Sequence, residues 1–520
     1  MKLKREENCG DTTLIEIIIP SEITEIEDGS FEGCVNLEEI TFLPDSQLKS
    51  IGKNAFRGCK KLRKIILPEP VETIGVSAFR GCESMEKVIF RNKMRHIGNN
   101  AFRDCIKLES IEIPEGVKKI NCFRGCRSLT YVKIPDSVEE ISDYGFDSCA
   151  NLDIEIGSVS QQNNIRRIGN FAFNHCSNLK VRLFDLLFPN LQSIGNFAFA
   201  RCHSLEIIDI PIAVHTIGHN CFTGCQRLVF INLPLKLKKI SICCFSGCKR
   251  LSYIQIPDGV EEIEMNAFSG CSSIESIKIP DTVEVIGKRA FSGCKILKTA
   301  ILSENLRSIN VGLFCGCFEL ESVYLGPHIQ EIYRYAFYYC KLRNITNDDT
   351  DEIIISKNIG FIGQSAFYAC NMKKIVIEAN TILENYTFYC CENLKSVIIG
   401  EKTVLLGNSI FGLCKNFRYL TIYPDVDILG IDIFDSSVKF VNMGENIRNP
   451  YNYFANNQNR IGTFKSLKKY NTRNFTSCPI SREDFEDNTE VIITSCGHFF
   501  SKESFEMCID TRCPMCREIY

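Results

Sequence analysis

The sequence predicts an α/β repeat solenoid, with a short strand and a short helix or 3₁₀ turn in each repeat of about 23 residues, followed by a small C-terminal zinc-binding module. Three observations carry this. Eighteen phenylalanines stand in register from Phe31 to Phe434, mostly 23 residues apart, and seventeen of them have Cys three positions later. A fixed set of Ile, Pro, Val, Gly and Ala positions surrounds each pair. The last 47 residues hold a C-x-H and a C-x-x-C set in place of the repeat.

Composition sets the frame. The 520 residues are 45% hydrophobic and 24% charged, with net charge −3, which excludes an intrinsically disordered chain and gives no global reason to expect a nucleic-acid binder. No apolar run reaches the roughly 18 residues that cross a bilayer. The N-terminal MKLKREENCGDTTLIEIIIP lacks the apolar stretch of a secretory signal. The 29 cysteines are an odd number and sparser than in small disulfide scaffolds. These features point to an intracellular setting, cytoplasmic or nuclear, where cysteines stay reduced.

Ile256 to Cys294, IPDGVEEIEMNAFSGCSSIESIKIPDTVEVIGKRAFSGC, displays the unit. The L-x-x-I-x-I piece alternates as a short strand does. Proline ends it because it has no amide to donate. The I-G pair reads as a turn whose glycine tolerates positive φ. In A-F-x-G-C, Phe and Cys lie about one helical turn apart, which suits a short helix or 3₁₀ turn with both side chains inward. A single copy cannot bury its apolar side, so the copies must stack as a solenoid. The seventeen register cysteines, Cys34 through Cys414, read as small buried hydrophobes. His215 and His219, near Cys221 and Cys225, have metal-like spacing, but a glycine turn separates them and Cys225 belongs to the core register. Over about residues 12–440 the unit resembles the BspA type of leucine-rich repeat. That resemblance implies a curved solenoid that recognises macromolecules; such proteins include surface adhesins as well as intracellular members.

The middle residue of each I-x-I strand faces outward, on the side such proteins use for partners. These positions make Glu112, Lys133, Asp209, Asn232, Gln255, Lys278 and Tyr324 the candidate substrate-binding residues, with apolar Ile66, Ile89, Ile301, Val376 and Ile398 between them. The aromatics Tyr131, Phe230, Tyr253 and Tyr419 stand at preceding positions, two residues earlier, and are residue types favoured at interface hot spots. Longer spacings place inserted loops around Gly157–Asn164, around Phe184–Pro189, and at the acidic run Asn347–Glu352.

The organisation read from the chain is a solenoid over 1–440 with about 18 repeats, a basic Asn-rich cap or linker over 441–473, and a zinc module over 474–520. In the module, Cys496, His498, Cys513 and Cys516 supply three thiolates and one imidazole, the closed ligand set of one structural zinc ion. So short a segment needs such a staple. The letters around them resemble the RING and U-box superfamily: Cys478-Pro479-Ile480-Ser481 opens the segment, and Cys513-Pro514-Met515-Cys516-Arg517 closes it. The second RING ligand set is then complete. Cys478, Ser481, Ser501 and Ser504 stand at the first, where hydroxyls form a metal-replacing polar network as in U-boxes. Ser501 reads as the N-cap of a helix with Phe505, Cys508 and Ile509 on its inner face.

This resemblance implies a ubiquitin ligase without a covalent intermediate, whose partners are a ubiquitin-conjugating enzyme, ubiquitin and a protein substrate held on the solenoid. Ile480 and Pro514 match the conjugating-enzyme groove, and Arg517 matches the linchpin cation that positions the thioester. The sequence leaves three other readings: a non-catalytic interaction scaffold with a structural zinc module, a SUMO-type ligase, and a surface adhesin.

Overall fold

Each repeat forms one coil of chain in the computed structural model, which describes residues 2–3, 8–91, 94–152, 164–180, 188–346, 351–423, 425–434, 438, 440–443, 459–463, 484, 490–493 and 499–501. The chain divides into two units, Met1–Ile274 and Glu275–Tyr520.

In the first unit the predicted strands form parallel ladders. Lys64–Ile66, Lys87–Ile89, Ser110–Glu112 and Tyr131–Lys133 pair in sequence, as do Glu16–Ile19 with Glu39–Phe42 and Ile207–Asp209 with Phe230–Asn232. Alternation puts Ile65, Val88, Ile111 and Val132 in the core and their neighbours outside. A second ladder of two-residue strands joins Ser50–Ile51, Thr73–Ile74 and His96–Ile97, and another runs from Lys119–Ile120 to Thr216–Ile217.

Between the ladders the core phenylalanines stack. From Phe31 to Phe268 successive ring centroids are 5.0 to 5.8 Å apart and nearly parallel. The cysteines beside them are buried and free of disulfides, and they are hydrogen-bond donors as well as fillers. Cys59 Sγ donates to the Phe31 carbonyl at 3.2 Å and Cys82 Sγ to that of Phe56 at 3.3 Å, one coil earlier each time.

The expected helix or 3₁₀ turn in A-F-x-G-C is absent, so the coils are all-β with turns rather than α/β. The amides show why. Asn54, Phe56 and Gly58 donate to Val76, Ala78 and Arg80 in the next coil, whereas Ala55, Arg57 and Cys59 donate three residues back within their own. A helix would need all of these amides aligned along one local axis. The segment is also interrupted by left-handed residues, Asn54 at φ 54° and Gly58 at φ 75°, two positions before and after Phe56.

The glycine of the I-G pair also differs from expectation. Gly75 is not left-handed; a Cβ there would lie 2.5 Å from the carbonyl carbon of Gly52, so glycine permits close approach of adjacent coils. The next position carries a polar ladder in three coils. The side-chain oxygens of Asp143, Asn170 and Asn196 accept the amides of Asn170, Asn196 and His219, each at 2.8 Å.

The second unit repeats this construction. Ser276–Lys278, Thr299–Ile301 and Ser322–Tyr324 pair in parallel, and the phenylalanines from Phe291 to Phe434 stack at 5.1 to 5.7 Å. A longer sheet runs through Glu352–Ile355, Lys374–Ala379, Ser396–Glu401, Tyr419–Ile422, Phe440–Met443 and Asn459–Thr463. Glu490–Ile493 then adds antiparallel to Asn459–Thr463, and Phe499–Ser501 antiparallel to it. Of the acidic insertion, Asn347–Thr350 lies outside the described residues. Asp351 binds Arg343 Nε and Lys373 Nζ, both at 2.6 Å, and Glu352 binds Lys374 at 2.8 Å. Residues 157–163 and 184–187 of the other insertions also lie outside the description, while Phe188 is buried. No helix among the described residues is long and apolar enough to cross a membrane.

Candidate interaction surfaces

The outward strand positions are exposed or half-buried, as strand alternation predicts. In the first unit Glu112 and Lys133 face each other in register, 3.4 Å apart as an exposed ion pair. Asp209 and Asn232 pair elsewhere, with Asp209 half-buried, and exposed Gln255 follows the isolated bridge at Tyr253. Lys278 and Tyr324 belong to the second unit and flank Ile301. Ion pairing at so exposed a site contributes little, which leaves Glu112 and Lys133 available to a partner.

Sequence reasoning missed the densest aromatic surface. Around Phe337, Phe367 and Phe388, three consecutive coils bring Tyr335, Tyr338, Tyr339, Tyr368, Tyr386 and Tyr389 together. Tyr338 sits edge-on to Tyr339 at 4.7 Å and tilted to Tyr368 at 4.8 Å, and Tyr389 stacks on Tyr368 at 5.4 Å. Burial, then the neighbouring Tyr339 phenol, pushes Tyr368 up to about 12 and raises Tyr338 as well, so these hydroxyls stay neutral.

Tyr335 and Tyr386, with φ of 60° and 59°, hold the left-handed turn position that Gly312, Ser365 and Ser409 hold in other coils, and Tyr339, with φ of 59°, holds the one that Gly293 and Gly316 hold. A bulky residue there costs about 1 kcal/mol against glycine. Burial does not offset this, because Tyr339 and Tyr386 remain 46% and 39% exposed. The signal available in sequence was tyrosine at a glycine position of the repeat, as in YRYAFYYC.

The first unit has a smaller counterpart. Tyr144, Phe171 and Phe197 occupy the left-handed position before the core Phe and stack at 5.0 and 4.7 Å, and the Arg124 guanidinium lies 4.6 Å from the Tyr144 ring centre. Arg57, Arg80, Arg103 and Arg124 form a column through four coils, balanced by Glu32, Asp104 and Asp147.

At the C-terminus, Cys478, Ile480, Ser481, Cys496, His498, Ser504, Cys513, Pro514, Cys516 and Arg517 lie outside the described residues. Ser501 ends the strand Phe499–Ser501. The described hairpin, Glu490–Ile493 against Phe499–Ser501, has Cys496-Gly497-His498 in its connection.

The coil geometry agrees with comparison to known proteins. The model of the BspA type leucine-rich repeat region matches in six copies, over residues 6–122, 119–229, 153–260, 215–343, 344–461 and 381–505. The chain belongs to the BspA-type leucine-rich repeat family. The last copy runs across Cys478, Cys496 and His498. Among solved structures, a leucine-rich repeat protein from Bacteroides ovatus is 30% identical over 66% of this chain and 87% of its own, with TM-score 0.55. A leucine-rich cell surface protein from Faecalibacterium prausnitzii is 26% identical over 55% of this chain and 87% of its own, with TM-score 0.39. A leucine-rich repeat protein from T. pallidum is 29% identical over 32% and 78%, with TM-score 0.29. No curated protein matches the chain.

Proposed function

We infer that this repeat protein is a protein-interaction scaffold whose outer surface, rather than a reaction centre, is its working part. The observation that carries the reading is the placing of exposed aromatic side chains at left-handed positions, where Tyr339 and Tyr386 strain the backbone without gaining burial. Tyrosine is among the residues that dominate interface energetics. The family supports the same reading. Full-length protein carrying a photoreactive phenylalanine at Tyr339 or at Lys133, made in its native cells, tests it. Discrete protein crosslinks at either position are expected; none at either would overturn the scaffold reading.

A second reading, a ubiquitin ligase of RING or U-box type, is favoured by one specific feature: the hairpin that carries Cys496 and His498 in its connection. In this reading Cys496, His498, Cys513 and Cys516 hold one zinc ion, whose role is structural because four protein ligands leave no position for water. The solenoid then presents a substrate, Ile480 and Pro514 bind the conjugating enzyme, and Arg517 orients its ubiquitin thioester. Zinc content and autoubiquitylation with a panel of conjugating enzymes test it. One zinc per chain, lost in Cys513→Ala, and a product lost in Arg517→Ala are expected. Zinc-loaded protein that is inactive with every enzyme leaves the scaffold reading alone.

A further inference from the structure

The tyrosine edge of the second unit has a charge environment that selects among partners. Arg334 directly precedes Tyr335. The Arg289 side chain lies along Gly312, its Cγ and Nε 3.1 and 3.7 Å from where a Cβ would stand, and the Gly312 amide donates to the Arg334 carbonyl at 3.0 Å, so Arg289 borders the same edge. Among the described residues no carboxylate pairs with Arg289 or Arg334. The acids nearby are engaged elsewhere: Glu331 takes the Tyr333 hydroxyl, Glu319 pairs with Lys341, Glu392 with Lys415, and Glu384 accepts the Gln364 amide. The edge therefore combines phenol hydroxyls, which both donate and accept, with two guanidiniums that no carboxylate among the described residues pairs.

We propose that this edge, Tyr335, Tyr338, Tyr339, Tyr368, Tyr386 and Tyr389 with Arg289 and Arg334, docks an extended acidic peptide segment of a protein partner. The proposal rests on the scaffold reading and adds the partner's chemistry. Carboxylates of the peptide meet the two guanidiniums, which match them bidentately. Its main chain meets the phenol hydroxyls, and its apolar or aromatic side chains meet the exposed ring edges. A peptide fits better than a glycan for two reasons. The rings of Tyr338, Tyr339 and Tyr368 meet at 34° to 89° and offer no continuous flat platform for a sugar face. Unpaired arginines, moreover, favour an anionic partner over a neutral one.

The test is fluorescence anisotropy of a fluorescein-labelled Glu-Tyr copolymer with the full-length protein. Wild type is expected to bind it and to weaken as salt rises. Arg289→Glu with Arg334→Glu abolishes binding, and a Lys-Tyr copolymer binds at least tenfold more weakly. Tyr339→Gly separates folding from recognition, since glycine relieves the left-handed strain. It raises the urea midpoint while lowering copolymer affinity at least tenfold, and Tyr253→Ala, an exposed tyrosine of the other unit, changes neither. The proposal is overturned if wild type ignores the Glu-Tyr copolymer, if Tyr339→Gly binds it as well as wild type does, or if maltoheptaose displaces it. Should the copolymer fail while crosslinks persist at Tyr339, the acidic partner is refuted and the scaffold reading stands.

Discussion

The Sγ of Cys248 donates to the main-chain carbonyl of Phe222, 3.2 Å away and one coil earlier. The same carbonyl accepts the Cys225 amide, and the Phe222 ring stacks at 5.6 Å on Phe245. Each ladder cysteine in this pattern ties the Phe column of one coil to the next. The residue pair that defines the repeat is therefore also its inter-coil fastening.

Truncating either member should loosen neighbouring coils before distant ones, because a solenoid is held by nearest-neighbour contacts. Phe245→Ala should cost about 3–5 kcal/mol, and Cys248→Ala about 1–2 kcal/mol for a smaller void and one lost weak donor. Urea unfolding gives the size. Hydrogen exchange should place the loss of amide protection around Phe222, Phe245 and Phe268.

High pH should unfold the protein steeply. Burial, the leading cause, raises the thiols of Cys82, Cys105, Cys176, Cys248 and other ladder members above their ordinary 9.0. A thiol raised in the folded state leaves stability intact below pH 9; as pH climbs further, the unfolded chain loses protons that the native core retains. Each such thiol then removes up to about 1.4 kcal/mol per pH unit. Urea midpoints under reducing conditions should be level from pH 7 to about 8.5 and collapse between about 9 and 10. A level profile to pH 10 would contradict the sealed thiol column.

Two glycine substitutions should part company. In Gly195→Ala the new Cβ would lie 2.6 Å from the Gly169 carbonyl carbon, so coils must separate and stability should fall by roughly 2 kcal/mol or more. In Gly360→Ala nothing lies within 4 Å and φ is ordinary, so the change should be neutral or stabilise by up to about 1 kcal/mol. Thermal unfolding of the pair checks the ranking.

Acid should release the Asp351 anchor. Hydrogen bonds from Lys373 and then Arg343 hold its carboxyl below the ordinary 3.8. A depressed carboxyl stabilises above its unfolded pKa and loses that contribution as pH falls through the lower folded value. Asp351 should therefore stay ionised at pH 4, and its carboxyl-carbon titration should have a midpoint below 3.8 that returns upward in Lys373→Ala. An unshifted midpoint would show the two cations are not holding it.

The repeat period, the core roster and the parallel strand ladder were readable from the chain alone. Residue burial repeats wherever coils stack, so Phe56, Cys59 and Ile65 recur with their neighbours at constant spacing. Outward strand residues such as Glu112 and Lys133 followed from alternation. The tertiary structure decided the rest, because it depends on atoms a coil away. A helix and a turn both point Phe56 and Cys59 inward, and only the Ala78 carbonyl accepting the Phe56 amide separates them. Gly75 looked like a turn glycine until Gly52 lay against it. Tyr338, Tyr368 and Tyr389 are far apart in sequence and become one surface when their coils stack. Periodicity records what each coil buries, whereas hydrogen-bond partners and surface clusters belong to pairs of coils.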